Sequence, residues 1–461
     1  MFKLMTMLTV FVVSQASAEI EWPINIEPNP LTDNGFGNGV ANLDEWLVIG
    51  DTQNDDQASN AGAIHVYQNV NGQWLPYQTL YADDAESNDQ LGSAVAIERN
   101  HLTGEVWIMG SALNDDDSGP DQGAVYAFER DVNGDFIQQD KFVGTSSSNN
   151  FGVSIALNYD YVEDIDAYLW VLVVGDDTMR RPDPIGGGTH TTGGMTIYKK
   201  SGGLPWEEEP VQSGAAFFQA LDSFDKWGAS VSVDGIFIAA GAPGYDIHDV
   251  NNPQIDVGAV FYAFRDNLTQ TWSCCSIILA DQPQAGANLG AAVEIIKQPG
   301  SNFSIFAGAP LEKPDMSNRQ VGAVHVWQNT GYVEKLLPSV IVGGQGEHFG
   351  STIAANGDDY FGTTELLVGA PFSNDRKGRV YLFSKNLNYN GNNGLYLEKQ
   401  QIVGSDTNSY PWDFGQFGTL VSTDGRNHVA TSASNYIGSH RRVTTKEYPI
   451  FVNGFETAFQ Q

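Results

Sequence analysis

Cysteine and positive charge are nearly missing from this 461-residue chain, and each shortage excludes a class of protein. Its two cysteines, Cys274 and Cys275, are neighbours, so no long-range disulfide framework can form. Either they join as a vicinal disulfide or they stay thiols in a strand, and stability has to come from packed secondary structure. Lysine and arginine number 23 against 56 acidic residues, a net charge of −33. That balance argues against nucleic acid or an anionic membrane surface as partner. Beyond residues 1–18 no apolar run is long enough to cross a membrane, so no transmembrane segment is expected. His-x-x-x-His, Gly-x-Ser-x-Gly and phosphate-binding loops are all lacking, which removes the local catalytic signatures. His65 and His325 fall in alternating strands as packing residues, and the other histidines fall in loops or turns.

Glycine, in contrast, is abundant at 50 residues and is placed with regularity. An aromatic residue or leucine followed by glycine recurs at Phe36-Gly37, Leu91-Gly92, Phe151-Gly152, Trp227-Gly228, Leu289-Gly290, Phe349-Gly350 and Phe417-Gly418. The spacings are 55, 60, 76, 62, 60 and 68 residues, a period that signals stacked or radially arranged units. Each opening leads into a β-rich run such as Ser93–Ile97. A second run follows and ends on small residues, as in Ile238–Pro243, Phe306–Pro310 and Leu367–Pro371. A third begins near Gly-Ala-Val with alternating aromatics, as in Gly123–Phe128 and Gly322–Trp327, and a more polar fourth closes the unit. Short runs rich in β-branched and aromatic residues and bounded by Gly, Asn, Asp and Pro are strands. Four antiparallel strands repeated seven times predict an all-β, seven-bladed β-propeller.

The ends of the chain carry two further expectations. Residues 1–18, with Lys3, an apolar stretch over Leu4–Val13 and Ala16-Ser17-Ala18, read as a secretory signal, which makes the product secreted, extracellular or, in a Gram-negative bacterium, periplasmic. Residues 19–461 then form one propeller domain and a monomer. An extra run at Ile20–Ile26 precedes the first opening, while the seventh unit has one run too few. The N-terminal run is therefore expected to complete the last blade and close the ring.

Acidic residues concentrate in the loops joining second to third strands and one unit to the next, which leave a propeller on the same face. Asp51, Asp55 and Asp56, then Asp83, Asp84, Glu86 and Asp89, then Asp115, Asp116, Asp117 and Asp121, then Asp176 and Asp177 mark the first three units. As a plain solvated surface they confer solubility. As a site, Asp55, Asp56, Asp83, Asp84, Asp115, Asp116, Asp117, Asp176 and Asp177 form a negative field that attracts cations or a basic partner. The insertion from Arg180 to Gly194 leaves on that face too and reads either as a linker-like tip or as a partner-contacting loop.

Phe-Gly opening one strand and Gly-Ala-Pro closing the next resembles the FG-GAP repeat of the integrin α-subunit propeller and its bacterial relatives. The likeness is fullest in the fourth, fifth and sixth units, where Gly-Ala-Pro is intact. It implies a rigid interaction platform, often used in cell adhesion, with calcium held in hairpins between first and second strands. In those hairpins the candidate ligands are Asp359 and Glu365 in the sixth unit and Asp160, Asp164 and Asp166 in the third. Gly357 and Phe361 stand in two of the sixth unit's ligand positions, and Asp234-Gly235 and Asp424-Gly425 read as tight turns. The expected function is non-catalytic binding of an extracellular protein or polysaccharide through acidic loops, with cations taking part. The alternative is a secreted carbohydrate-active or other hydrolytic propeller whose site is assembled between units.

Overall fold

The computed structural model describes residues 24–26, 35–117, 119, 122–144, 150–162, 167–182, 189–213, 224–248, 253–266, 271–298, 302–314, 319–341, 346–357, 364–385, 395–403, 416–424, 427–432 and 442–447. The signal-like segment 1–18 and the C-terminal residues after 447 lie outside them.

Strands succeed one another in antiparallel order, as the hydrophobic runs dictate. In the second unit Leu91–Arg99, Val106–Ala112, Ala124–Arg130 and Phe136–Val143 pair in sequence. The second strand is the most buried of each unit, and all of Trp46–Asp51 and Val106–Ala112 is buried, because neighbouring sheets cover both faces. Trp46, Trp107 and Trp170 begin or sit near the start of these strands and are fully buried between sheets. Trp46 meets Phe136 of the next unit edge-on at 5.4 Å, and Trp107 meets Trp170 at 6.3 Å.

The repeated glycines are the joints between sheets. Gly350 has φ +90°, and its N–H donates to the Gly369 carbonyl of its own unit at 3.0 Å. Its carbonyl faces Gly308 of the preceding unit so closely that a Cβ there would overlap it. The same abutment joins Gly50 to Gly92, Gly175 to Gly228, Gly241 to Gly290 and Gly369 to Gly418. The Gly of Phe-Gly and the Gly of Gly-Ala-Pro thus recur together because each blade rests its inner strand on the second strand of its neighbour.

The expected count of seven does not hold: among the described residues six four-stranded antiparallel blades are found, not seven. The sheet of the fourth unit has five strands and is mixed. Outside Trp272–Ile278 it carries Val211–Ser213, paired parallel in the register Val211↔Trp272 to Ser213↔Cys274. The cause lies in the 76-residue spacing between the third and fourth openings, the longest in the chain. The third unit's outer strand, Glu207–Glu209, is only three residues long and stops at Pro210, which has no N–H to continue a ladder. The following residues are handed to the next sheet. Buried Glu209 pins the crossing, accepting hydrogen bonds from Arg265 and from Trp272 Nε1 at 2.8 Å each. Cys274 and Cys275 lie on Trp272–Ile278 and are joined to each other.

The first and last units meet. Ile24–Ile26 pairs antiparallel with Arg442–Glu447, Ile24 opposite Thr445 and Ile26 opposite Val443, as the outer strand of the sheet formed by Val421–Thr423, Asn427–Ser432 and Arg442–Glu447. Ile26, Phe36, Leu47, Ile49, Trp74 and Val429 form one apolar cluster across this junction, and Asn42 N–H donates to Ser422 Oγ at 3.1 Å. Among the described residues no helix is long and apolar enough to cross a membrane.

Candidate functional site: an acidic rim

Parallel bridges such as Gly62↔Leu91 and Gly193↔Trp227 set the end of each second-to-third loop beside the opening of the next unit. These loops therefore share one face with the unit-to-unit connections. Asn60 Nδ2 donates to Asn88 Oδ1 at 3.2 Å, and Asn88 N–H donates to the Ser59 carbonyl at 2.8 Å, fastening the first unit's loop to the connection that follows it. That connection reaches the second unit through Asn114 N–H to the Asp89 carbonyl, and Asn150 Nδ2 meets Asp177 Oδ1 at 2.9 Å in the third unit.

On this rim the predicted aspartates divide into two kinds. Asp55, Asp56 and Asp83 are exposed, as are Glu86 in the same connection as Asp83 and Asp116 in the loop of the second unit. Asp55 Oδ1 accepts from Asn60 N–H at 2.7 Å and Asp56 Oδ2 accepts from Tyr81 at 2.8 Å, so the loop is braced while its charge faces water. Burial, followed by that bond to Asp56, pushes the Tyr81 phenol up to about 12.

The second kind gathers around a cation, with Asp115 buried and Asp84 and Asp117 partly exposed. Lys141, on Phe136–Val143, places its Nζ 2.8 Å from Asp84 Oδ2, 2.9 Å from Asp115 Oδ2 and 2.6 Å from Asp117 Oδ2. Tyr126 lies beneath, its ring centroid 5.0 Å from the ammonium, and its hydroxyl is 2.8 Å from Asp84 Oδ1 and 2.6 Å from Asp115 Oδ2. Burial opposes the charge on Asp84, but the bonds from Lys141 and Tyr126 hold its carboxyl below the usual carboxylate range. Burial likewise opposes the Lys141 charge, and the carboxylates hold its ammonium well above the ordinary lysine value.

Asp51 and Asp176 are buried, Asp51 3.1 Å from His65 Nε2 and Asp176 accepting from the Thr178 amide and hydroxyl at 3.0 Å. Lys141 and Tyr126 escaped the sequence reading because their partners lie 11 to 57 residues away. The available signal was a lone lysine opposite a tyrosine in paired strands, next to two acidic loops.

Sequence reasoning also missed two glutamates on inner strands. Glu98 and Glu294 interrupt apolar runs in Leu91–Arg99 and Ala292–Gln298, the feature that could have flagged them. Ser232 Oγ donates to Glu294 Oε2 at 2.7 Å. Burial, with Asp234 acting on each, pushes both carboxyls up to about 8.

On the opposite, hairpin-tip face, Asp359, Asp164 and Asp166 lie outside the described residues, as does Asp121 of the rim. Asp160 is ion-paired with Lys297, and Glu365 lies 3.5 Å from His428 Nε2. A calcium ion needs six to eight oxygens, and the described Asp160 and Glu365, each in its own hairpin, have Lys297 and His428 beside them. Among the described residues no group of three or more His, Cys, Asp or Glu side chains is placed to hold a metal.

In sequence comparison, the FG-GAP repeat family matches residues 74–128, which run from the outer strand of the first unit to the third strand of the second. No curated protein matches the chain. With that match set in a β-propeller whose joints are the recurring Phe/Leu-Gly and Gly-Ala-Pro glycines, the chain is an FG-GAP repeat protein.

Proposed function

We propose that this protein is a secreted, non-catalytic binding propeller of the adhesion type. Its ligand surface is the acidic rim of the first two units, and its partner is an extracellular protein or polysaccharide carrying ammonium or guanidinium groups. The FG-GAP propeller is a fold of binding and adhesion domains, which supports the general reading. The observation that carries the finer one is that Asp55, Asp56, Asp83, Glu86 and Asp116 stay exposed on braced, contiguous loops, while Lys141 is consumed by its own carboxylates. Such a surface focuses negative potential and selects partners by charge. Any cation dependence belongs to this rim, where a divalent ion would bridge exposed carboxylates to an anionic partner.

Immobilised lysine-rich polypeptide, chitosan and an anionic polysaccharide, each with calcium or with chelator, separate these modes. Binding to the basic probes that weakens with salt supports the reading. Binding to none of the three under any condition contradicts it. A second reading, hydrolysis, is favoured by Glu98 and Glu294, whose carboxyls desolvation pushes up to about 8, the range of a general acid at neutral pH. Turnover of a polysaccharide that disappears in Glu98→Gln or Glu294→Gln would replace the binding assignment.

A further inference from the structure

On the face opposite the rim, the tip of the first unit is the two-residue turn Asp44-Glu45 between Phe36–Leu43 and Trp46–Asp51. The tip of the fourth is the equally short Gly235-Ile236 turn that follows Asp234, between Ser230–Asp234 and Phe237–Ala242. A two-residue turn cannot supply the alternating oxygens of a calcium loop.

Each tip is instead met by a cation from the end of the next unit's first strand. Arg99 of the second unit reaches back to Asp44 Oδ2 at 3.2 Å and Glu45 Oε1 at 2.8 Å. Although burial works against it, the Arg99 hydrogen bond holds the Glu45 carboxyl below its ordinary value. Lys297 of the fifth unit occupies the corresponding end of Ala292–Gln298. Its amide donates to Asp234 Oδ2 at 2.7 Å, and its ammonium passes beside Gly235 to Asp160 of the third unit. Gly235 N–H donates to Asn158 Oδ1 at 3.0 Å, also from the third unit. Gly235 has φ +59°, and a Cβ on it would run into the Asp160 carboxylate, so the turn is clasped from both neighbours. The fourth unit is thereby strapped between the third and the fifth.

We propose that Arg99 and Lys297 are the resident cations of these hairpin tips, holding units together where the fold family uses calcium, so that these tips are fixed without metal. The proposal is independent of what the rim binds. It is tested on the full chain by thermal melting in calcium and in chelator, together with charge-removing variants.

Arg99→Met and Lys297→Met should each lower the melting temperature by about 0.5–1 °C, the scale for half-exposed ion pairs in a chain of this length, with the loss shrinking in high salt. Arg99→Lys should recover part of the loss. Any calcium-induced rise in melting temperature should be identical in wild type, Glu45→Gln and Asp160→Asn. A calcium response abolished by Glu45→Gln or Asp160→Asn overturns the proposal. So does a melting temperature that neither Arg99→Met nor Lys297→Met changes at low salt.

Discussion

Removing the Lys141 ammonium while keeping its apolar stem, as in Lys141→Met, should destabilise the protein measurably and in a pH-dependent way. In the wild type one charge neutralises a cluster in which Asp115 is nearly buried, with 4% of its side chain exposed, while Asp84 and Asp117 are 40% and 46% exposed. Full burial of an orphaned charge costs about 3–5 kcal/mol, and an exposed pair contributes about 0–1 kcal/mol. A cluster with one buried and two half-exposed carboxylates falls between, at about 2–3 kcal/mol. At about 2.1 cal/mol/K per residue, the 461 residues give an unfolding entropy of about 1 kcal/mol/K, so the variant should melt about 2–3 °C lower.

The pH profile is more diagnostic than the size. Asp84 has its carboxyl lowered, so its stabilising share is complete above the unfolded value of about 3.9 and is lost as pH falls through the lowered one. Lys141 is raised, so its share is complete below the unfolded value of about 10.4 and is lost only as pH rises through the folded one. The gap between wild type and variant should be flat from about pH 5 to 10 and should narrow as pH falls below about 4. Scanning calorimetry across pH measures it. Equal melting at pH 7, or a gap that does not narrow as pH falls below about 4, would refute the reasoning.

Three further outcomes follow from the same physics. Glu209→Ala removes the acceptor shared by Arg265 and the Trp272 indole, and denaturant unfolding should register a loss of more than about 1 kcal/mol. Gly308→Ala drives a methyl into the Gly350 carbonyl, and because backbone cannot step aside the loss should exceed about 2 kcal/mol by the same assay. Desolvation pushes the half-buried Glu98 carboxyl up to about 8, so the stability tied to its proton is full below the unfolded value of about 4.3 and drains as pH rises through about 8. Glu98→Gln should therefore melt with wild type near pH 4 and above it at pH 9.

What the sequence made legible was whatever repeats. The Phe/Leu-Gly and Gly-Ala-Pro glycines could be read because most sheet joints impose the same steric demand, seen at Gly308 against Gly350 and again at Gly241 against Gly290, although Ser111 stands against Gly152 in the second unit. Strand order was readable for a like reason, since each second strand must be apolar on both faces. The strand Val211–Ser213 was not, because Glu207–Glu209 and the residues after Pro210 carry no apolar alternation. Counting openings therefore predicted uniform blades that the fourth unit does not supply.

The rim was legible as acidic density but not as chemistry. Exposed Asp55 and inward Asp115 look alike in sequence, and only the fold reveals that Lys141 closes over one and leaves the other in water. Neither could Arg99 or Lys297 be assigned to a hairpin tip, because each acts on a turn of another unit, 54 to 63 residues away or more.

The exposed carboxylates of the rim are the ligand surface proposed for this protein. The direct measurement compares the wild type with a variant carrying Asp55→Asn, Asp56→Asn, Asp83→Asn and Asp116→Asn for binding to immobilised lysine-rich polypeptide by surface plasmon resonance, with circular dichroism confirming the fold. The account predicts that four substitutions at exposed positions leave melting nearly unchanged and weaken binding by about tenfold or more, with a shallower dependence on salt. Equal affinity and equal salt dependence in the two proteins would contradict it.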